Sequence, residues 1–386
     1  MQAQTHARSG LTALNDTLPL TRRWFGCSTL AFFLYTVFCV ALATAAYLRP
    51  LPTFDRLFYA GAVASLRYSD PATLFSIARA EFDAQPSPFH FESVAGEPYF
   101  TDVYKNPDHF AQQLQLSRVK LGYVASGYVL WRAGLPILVG LRLISAFSLF
   151  AVGLAVLAWT HDAVLSPLLL LTPPVLNMGR MVTADPLSTA MIFLALFSLA
   201  STGRVRLSLC LLAVSMVVRA DNVVLVLFLL AWMIWRKHLR LSAGFLCAAL
   251  AVATYAVVDR IAGIYGWRVL MQHSFVKPEV DPISHPVLIT FAGYLHALAG
   301  LRAIPYTFMT VWILVTAAVW KRLRRSSISY DLLPLTGVYI VVRLLIFPNF
   351  DDRVFVWAYL LAGVALIQSA QSPILRTQEK AHSNDS

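Results

Sequence analysis

Four short polar stretches interrupt a chain that is otherwise one apolar run after another, and each holds residues able to do chemistry. Asp55, in PTFDR, closely follows the first apolar run. A carboxylate there suits a general base toward a hydroxyl or amine acceptor, or a metal ligand. The same position also suits a helix N-cap, whose side-chain oxygen takes a free backbone N–H. GRMVTADPLS (179–188) carries Arg180 and Asp185, the latter followed by Pro186 in the manner of a cap and an N1 proline. VVRADN (217–222) sets Arg219 and Asp221 between two apolar runs with no real loop between them. An arginine at such a depth is costly unless it is paired or serves a polar ligand. FPNFDDRVF (347–355) brings Asp351, Asp352 and Arg353, and Arg343 lies about one turn inside the run before it. The planar guanidinium fork matches phosphate oxygens, so Arg219, Arg343 and Arg353 form a candidate phosphate or diphosphate clamp. The alternative is that each arginine pairs with its neighbouring aspartate and stabilises a helix end. Spacing alone leaves both readings open.

Other chemistries find little in the sequence. His90 and His109 lie in one loop, and His273, His285 and His296 in another, without an HxxxH or HExxH pattern. A divalent ion shared between those loops has no motif behind it, so no metal ligand is assigned. Cys27, Cys39, Cys210 and Cys247 sit in or beside apolar runs at no metal-ligand spacing. There is no Walker loop and no GxGxxG, which argues against nucleotide chemistry. The formal charge of +11 sits largely at the ends of apolar runs. In that setting it reads as a topology signal facing anionic lipid, and not as a nucleic-acid surface.

The elements that must position these residues follow from composition. Of the 386 residues 58% are hydrophobic and 13% charged, against about a quarter charged in soluble domains. An all-α, polytopic membrane protein follows, with about ten spans by length and hydropathy. They fall near 28–48, 136–159, 163–179, 185–202, 206–220, 221–236, 241–258, 304–320, 330–347 and 354–371. The first run is too long for a signal-peptide core and reads as a retained helix. Placing Arg22–Arg23, GRVR (203–206), RKHLR (236–240) and KRLRR (321–325) in the cytoplasm puts both chain ends inside. Residues 1–27 and 372–386 are then unstructured cytoplasmic segments flanking one transmembrane domain, 28–371.

Two outer loops result, 49–135 and 259–303. Apolar stretches within them, 119–133 and 287–301, read as interfacial or re-entrant helices. In this arrangement only Asp16, Asp162, Asp331, Glu379 and Asp385, of 20 acidic residues, face the cytoplasm. The remaining acids gather on the outer face, a bias that acids do not impose on topology. The first loop is rich in aromatics and should fold. Its opening predicts a membrane-lying amphipathic helix with Phe54, Leu57, Phe58, Gly61, Ala62 and Leu66 near one face, and a cap-like Ser-Asp-Pro at its end.

This layout resembles the GT-C-type membrane glycosyltransferases, across roughly residues 25–370. An aspartate soon after the first span, at the head of a long outer loop with membrane-lying helices, matches FDRLFYAGAVAS and Asp55. LSRVKLGYVASGYVLW (116–131), with Arg118 and Tyr123, is similar to an Arg-Tyr-Pro stretch of that family, without the proline. ADPL (184–187) and the Arg-acid pair of VVRADN have counterparts as well. The chain departs from many members in carrying a single aspartate, not an acidic dipeptide, in the first loop.

The resemblance implies transfer of a sugar from a polyprenyl-phosphate-linked donor to a lipid, glycan or protein acceptor, in one inverting step on the outer face of a bacterial inner membrane. It implies Asp55 as the base and Arg219, Arg343 and Arg353 on the donor phosphate. Asp185, Asp221, Asp351, Asp352 and Arg118 would be further substrate contacts, with Tyr59 and neighbouring aromatics as cavity wall. No cofactor is implied. A transporter or flippase of a lipid-linked or anionic substrate is the rival expectation, since it too needs membrane-embedded Arg and Asp.

Overall fold

A computed structural model describes residues 28–86, 98–263, 269–271, 273, 278–282, 284, 290–300, 314–318, 328–348 and 351–384. Among them every regular element is a helix. The first, α1 (Thr29–Leu48), starts where Ser28 accepts the Ala31 N–H. Then come five helices of the first loop: α2 (Asp55–Ala64), α3 (Pro71–Asp83), α4 (Pro98–Val103), α5 (Pro107–Arg118) and α6 (Leu121–Arg132). The bundle continues with α7 (Ile137–Thr160), α8 (Ser166–Leu170), α9 (Pro173–Arg180), α10 (Asp185–Ala200), α11 (Val205–Val218), α12 (Val223–Trp235) and α13 (Leu241–Ala262). It closes with α14 (Phe291–Gly300), α15 (Ile328–Ile346) and α16 (Val356–Asn384).

Among the described residues four segments are long and apolar enough to cross a membrane: Thr29–Leu48, Ile137–Thr160, Leu241–Ala262 and Asp352–Gln371. Side chains such as Phe33 and Leu34 on α1, and Phe245 and Leu246 on α13, are exposed apolar groups on those helices. That belt is what a lipid solvent requires and what water would penalise. The segments Asp185–Ala200, Val205–Val218 and Ala220–Trp235 are apolar but shorter. The single span expected over 163–179 is two short helices, because Pro173 and Pro174 lack the N–H groups that would continue the first and instead begin the second. Of the expected span 304–320, only 314–318 is described, and it is helical. Residues 1–27 lie outside the described residues. The tail differs from expectation, since α16 runs on to Asn384 through a stretch rich in helix-forming Gln, Leu, Arg, Glu, Lys and Ala.

Buried apolar side chains form two cores. One fills the bundle and unites residues of α1, α7, α10–α12, α15 and α16. The other belongs to the first loop, joined by the first turns of α7, by Val182 and Ala184, and by Val218. With 12 residues α6 is too short to cross a bilayer, and of 287–301 only 290–300 is described, carrying the 10-residue α14. The opening helix of the loop departs from the one-sided pattern read from sequence. Arg56, Leu57, Tyr59 and every residue from Ala60 to Ala64 are buried, whereas Leu66 is 42% exposed. Helix α2 is therefore the centre of a packed layer and does not lie with one face open. The cap expected at its end serves the next helix: Asp70 accepts the Thr73 N–H at 2.8 Å, with Pro71 at N1 of α3.

Candidate functional site

The site lies on the seam between the two cores, where a cavity of 450 Å³ is lined from both sides. Asp55 is the first residue of α2, but Phe54 is its N-cap position and no side chain caps it. Phe54 packs edge-on against Phe58 and Phe100, which fixes the start of the helix. Asp55 is thereby left facing the bundle. Its Oδ2 accepts from Arg353 Nη1 at 2.7 Å, a contact between residues 298 apart in sequence. The neighbouring Arg56 turns away into the loop's core, donating Nε to the Thr53 carbonyl.

Arg353 is held on three sides. Besides Asp55 it meets Asp351 Oδ2 at 2.5 Å and Asp185 Oδ2 at 3.6 Å. Asp351 also accepts the Arg353 backbone N–H, pinning the short turn Asp352–Phe355 that precedes α16. Asp185 opens α10, where a carboxylate complements the positive end of the helix. It accepts from Thr183 Oγ1 at 2.8 Å and pairs closely with Arg219 Nη1. Arg219 occupies the extended break between α11 and the turn Ala220–Asn222. It grips Asp221 with both arms of its fork, at 3.0 and 2.8 Å. Asp221 Oδ2 also accepts from Arg343 Nη2 at 3.2 Å, 122 residues away in sequence. Arg343 lies against the Phe347 ring at 4.7 Å, and its buried Nε has no hydrogen-bond partner.

Of the residues singled out from sequence, Asp55, Tyr59, Asp185, Arg219, Asp221, Arg343, Asp351 and Arg353 line this one cavity. Two do not. Arg118 sits on the far side of α5, where its Nε donates to Ser65 Oγ at 2.8 Å and ties α5 to the end of α2. Asp352, the first residue of the 3-10 turn, is absent from the cavity lining, which takes Asp351, Arg353 and Val354 on either side of it. Arg180, also noted in the sequence, binds the Arg49 carbonyl and joins the end of α9 to that of α1. Of the histidines, His109 pairs with Asp102 at 3.0 Å and His273 lines the cavity. His90 and His285 lie outside the described residues. Among the described residues no three His, Cys, Asp or Glu side chains converge as a metal site.

Sequence reasoning missed Lys120 and Asp259, which also line the cavity. Lys120 lies in 119–133, the stretch read from sequence as an interfacial or re-entrant helix, with no role assigned to it. Its place is set by a glycine: a Cβ on Gly122 would lie 3.1 Å from Val217 C and Val218 N. Without one, the start of α6 meets the backbone just before Arg219 and Lys120 reaches the cavity.

Electrostatics follow from this packing. Burial pushes the Asp55 carboxyl up, but Arg353 outweighs it and holds the group below the usual carboxylate range. Burial, then the Arg219 charge, pulls Lys120 down to about 8. Burial pulls His273 down to about 4, which leaves it neutral at pH 7, and pushes Tyr59 up to about 12. The lining holds Lys120, Arg219, Arg343 and Arg353 as cations. Facing them are Asp55, Asp185, Asp221, Asp259 and Asp351. Each arginine is already neutralised by carboxylate, so the pairing alternative describes this state, and an arriving anion must compete for the guanidinium groups. Yet the pairs cross the fold as well as joining neighbours, which gathers into one cavity residues that capping alone would leave apart.

Among the described residues the fold and site define a helical protein with helices long and apolar enough to span a membrane, and an ion-paired cavity between its bundle and its folded first loop. No family model, no curated protein and no solved structure matches the chain.

Proposed function

We propose that this protein is a GT-C-like membrane glycosyltransferase that moves a sugar from a polyprenyl-phosphate donor to an acceptor hydroxyl. One observation carries the reading. Asp55, on the first helix of the long loop, faces a cavity that also holds Asp185, Arg219, Arg343 and Arg353. These charges sit at helix termini at one end of the bundle, not along its middle, which favours chemistry at an interface over a transport path. The face is the outer one of a bacterial inner membrane, within the cell envelope, with about ten spans and both termini cytoplasmic.

In this mechanism the donor phosphate displaces carboxylates from the arginines, which hold the negative charge that grows as the bond from the anomeric carbon to the phosphate oxygen breaks. Arg353 leaves Asp55 to do so. A carboxylate paired with arginine is a weak base, and loss of that pair raises its proton affinity. Asp55 then takes the proton of the acceptor hydroxyl as its oxygen attacks from the opposite face, with inversion. The leaving group is the polyprenyl phosphate. Asp185, Asp221 and Asp351 orient sugar hydroxyls or hold the arginines between turnovers. No step requires a cofactor.

The test is transfer from a polyprenyl-phosphate sugar by purified protein. Asp55→Asn should lower the rate by roughly 10²-fold or more at normal protein levels. Undiminished transfer in that variant removes the assigned base, and absence of transfer by the wild type from any such donor removes the reading.

A further inference from the structure

The cavity's cations are not equivalent. Arg219, Arg343 and Arg353 are each bound by at least one aspartate within 3.2 Å. Lys120 is not. Among the described residues no carboxylate lies within ion-pair distance of its ammonium, whose hydrogen bond goes to the Leu116 carbonyl at the end of its preceding helix. That carbonyl belongs to the negative end of α5, a neutral acceptor that a lysine readily exchanges for an anion. Lys120 also carries three donors on a flexible stem, so it can keep one bond to the carbonyl while offering the others to the cavity.

We propose that Lys120 is the residue that first receives the phosphate group of the ligand, before any arginine is released from its aspartate. This rests on the function proposed above and deepens it. An incoming phosphate at Lys120 stands near Arg219, which is coupled to the lysine electrostatically, and draws that guanidinium off Asp221 and Asp185. Binding therefore proceeds from the free cation to the paired ones. The order avoids stripping two charges of their partners in a desolvated site, which is the costly alternative.

The groups facing Lys120 make the idea testable by pH. Those coupled to it most strongly are Asp55 on α2, Arg219 and Asp221 at the α11–α12 break, Arg353 before α16, and His273. None of these changes charge between pH ~7 and ~9, since the carboxylates and arginines stay ionised and His273 is already neutral. Lys120 titrates within that window. Its proton is retained below the folded-state value and lost as pH rises through it, so phosphate affinity must fall above about 8.

The experiment measures equilibrium binding of farnesyl phosphate and of inorganic phosphate to the full chain in detergent, across pH ~7 to ~9. Wild type should bind farnesyl phosphate and lose affinity roughly tenfold or less per pH unit above ~8. Lys120→Gln should bind roughly tenfold or more weakly at neutral pH. Lys120→Arg should bind well and lose the pH dependence, because guanidinium stays charged. A flat wild-type profile, equal binding by Lys120→Gln, or no phosphate binding at all overturns the proposal. Preference for farnesyl over inorganic phosphate identifies a lipid source, and the reverse a soluble one. Sugar transfer by the wild type with Lys120-independent binding defeats this inference alone. Lys120-dependent phosphate binding without any sugar transfer defeats only the proposed glycosyltransferase activity.

Discussion

The two ends of the helical bundle solve the same geometric problem in different ways. At one end α7 turns into α8 through His161–Leu165, and local hydrogen bonds suffice. Asp162 accepts the Val164 and Leu165 N–H groups at 2.9 and 2.8 Å, and Thr160 and Ser166 share a hydroxyl bond. Gln368 and Gln371 of α16 donate to the Trp159 and Thr160 carbonyls. Only the Arg236–Asp331 ion pair there joins distant charged side chains among the described residues. At the other end, three arginines and four aspartates from five separate segments interlock around a cavity. Turns need caps and nothing more. Charges gathered beyond that need, at a desolvation cost that hydrophobic packing would avoid, are the groups on which the proposed function rests.

The largest way to break this contrast is Arg353→Ala, which leaves Asp55, Asp185 and Asp351 facing one another without their shared cation. The variant should lose roughly 1–3 kcal/mol, since the pair is only partly shielded from solvent, seen as a lower thermal midpoint in detergent. Asp55→Ala in the same chain should recover part of that loss, with a coupling of about 1–3 kcal/mol from the full double-mutant cycle. Additive effects would show that the 2.7 Å pair does not bind the first loop to the bundle. Acid should act on the same pair. The Asp55 pKa is depressed on folding, so its stabilisation is complete above the unfolded value of about 3.9 and is lost as pH falls below it. Arg353→Ala should flatten that acid-side slope.

Gly122→Ala comes next. Its Cβ meets backbone, which cannot rotate away, so α6 must shift from Val217–Val218. A cost of roughly 1–3 kcal/mol is expected, together with weaker phosphate binding as Lys120 moves. Retained binding would separate Lys120 from the position of α6. Asp162→Ala at the capped end should cost about 1 kcal/mol by losing its turn bonds and leave phosphate binding unchanged. An effect on binding there would mean that the two ends communicate. The smallest effect distinguishes neighbours. Asp351→Asn should weaken the hold on Arg353 and alter binding, whereas Asp352→Asn, at a position absent from the cavity lining, should leave affinity within a factor of about two.

Much of the candidate site was legible because function and topology coincide in the polar breaks. Asp55, Asp185, Arg219 and Arg353 stand out in a chain so apolar that each charge needs a reason. Arg118 misled because a resemblance of motif says nothing about which side of a helix a residue occupies, and here it faces Ser65. Asp352 misled because sequence adjacency does not show which side chains of a 3-10 turn face the cavity. Lys120 and His273 were given no site role because each is an isolated polar residue in a loop, given meaning only by what lies across the seam. The two-piece helix α8–α9 was readable from Pro173 and Pro174, had their missing N–H groups been weighed above the hydropathy of 163–179.

By itself the sequence determined the solvent and the element type. Long apolar runs can satisfy their backbone only as helices in lipid, and the polar residues they exclude must collect at helix ends. It also determined that an aspartate would open the first loop and that arginine–aspartate pairs would sit in two later breaks. Which of those charges meet was decided only by tertiary structure. The partner of Asp55 lies 298 residues downstream, and nothing local distinguishes it from the other arginines. The close packing of Phe54 and Gly61 folds the first loop into its own core, Gly122 brings α6 against α11, and the seam so formed selects Arg353 for Asp55 and leaves Lys120 without a carboxylate in ion-pair range among the described residues.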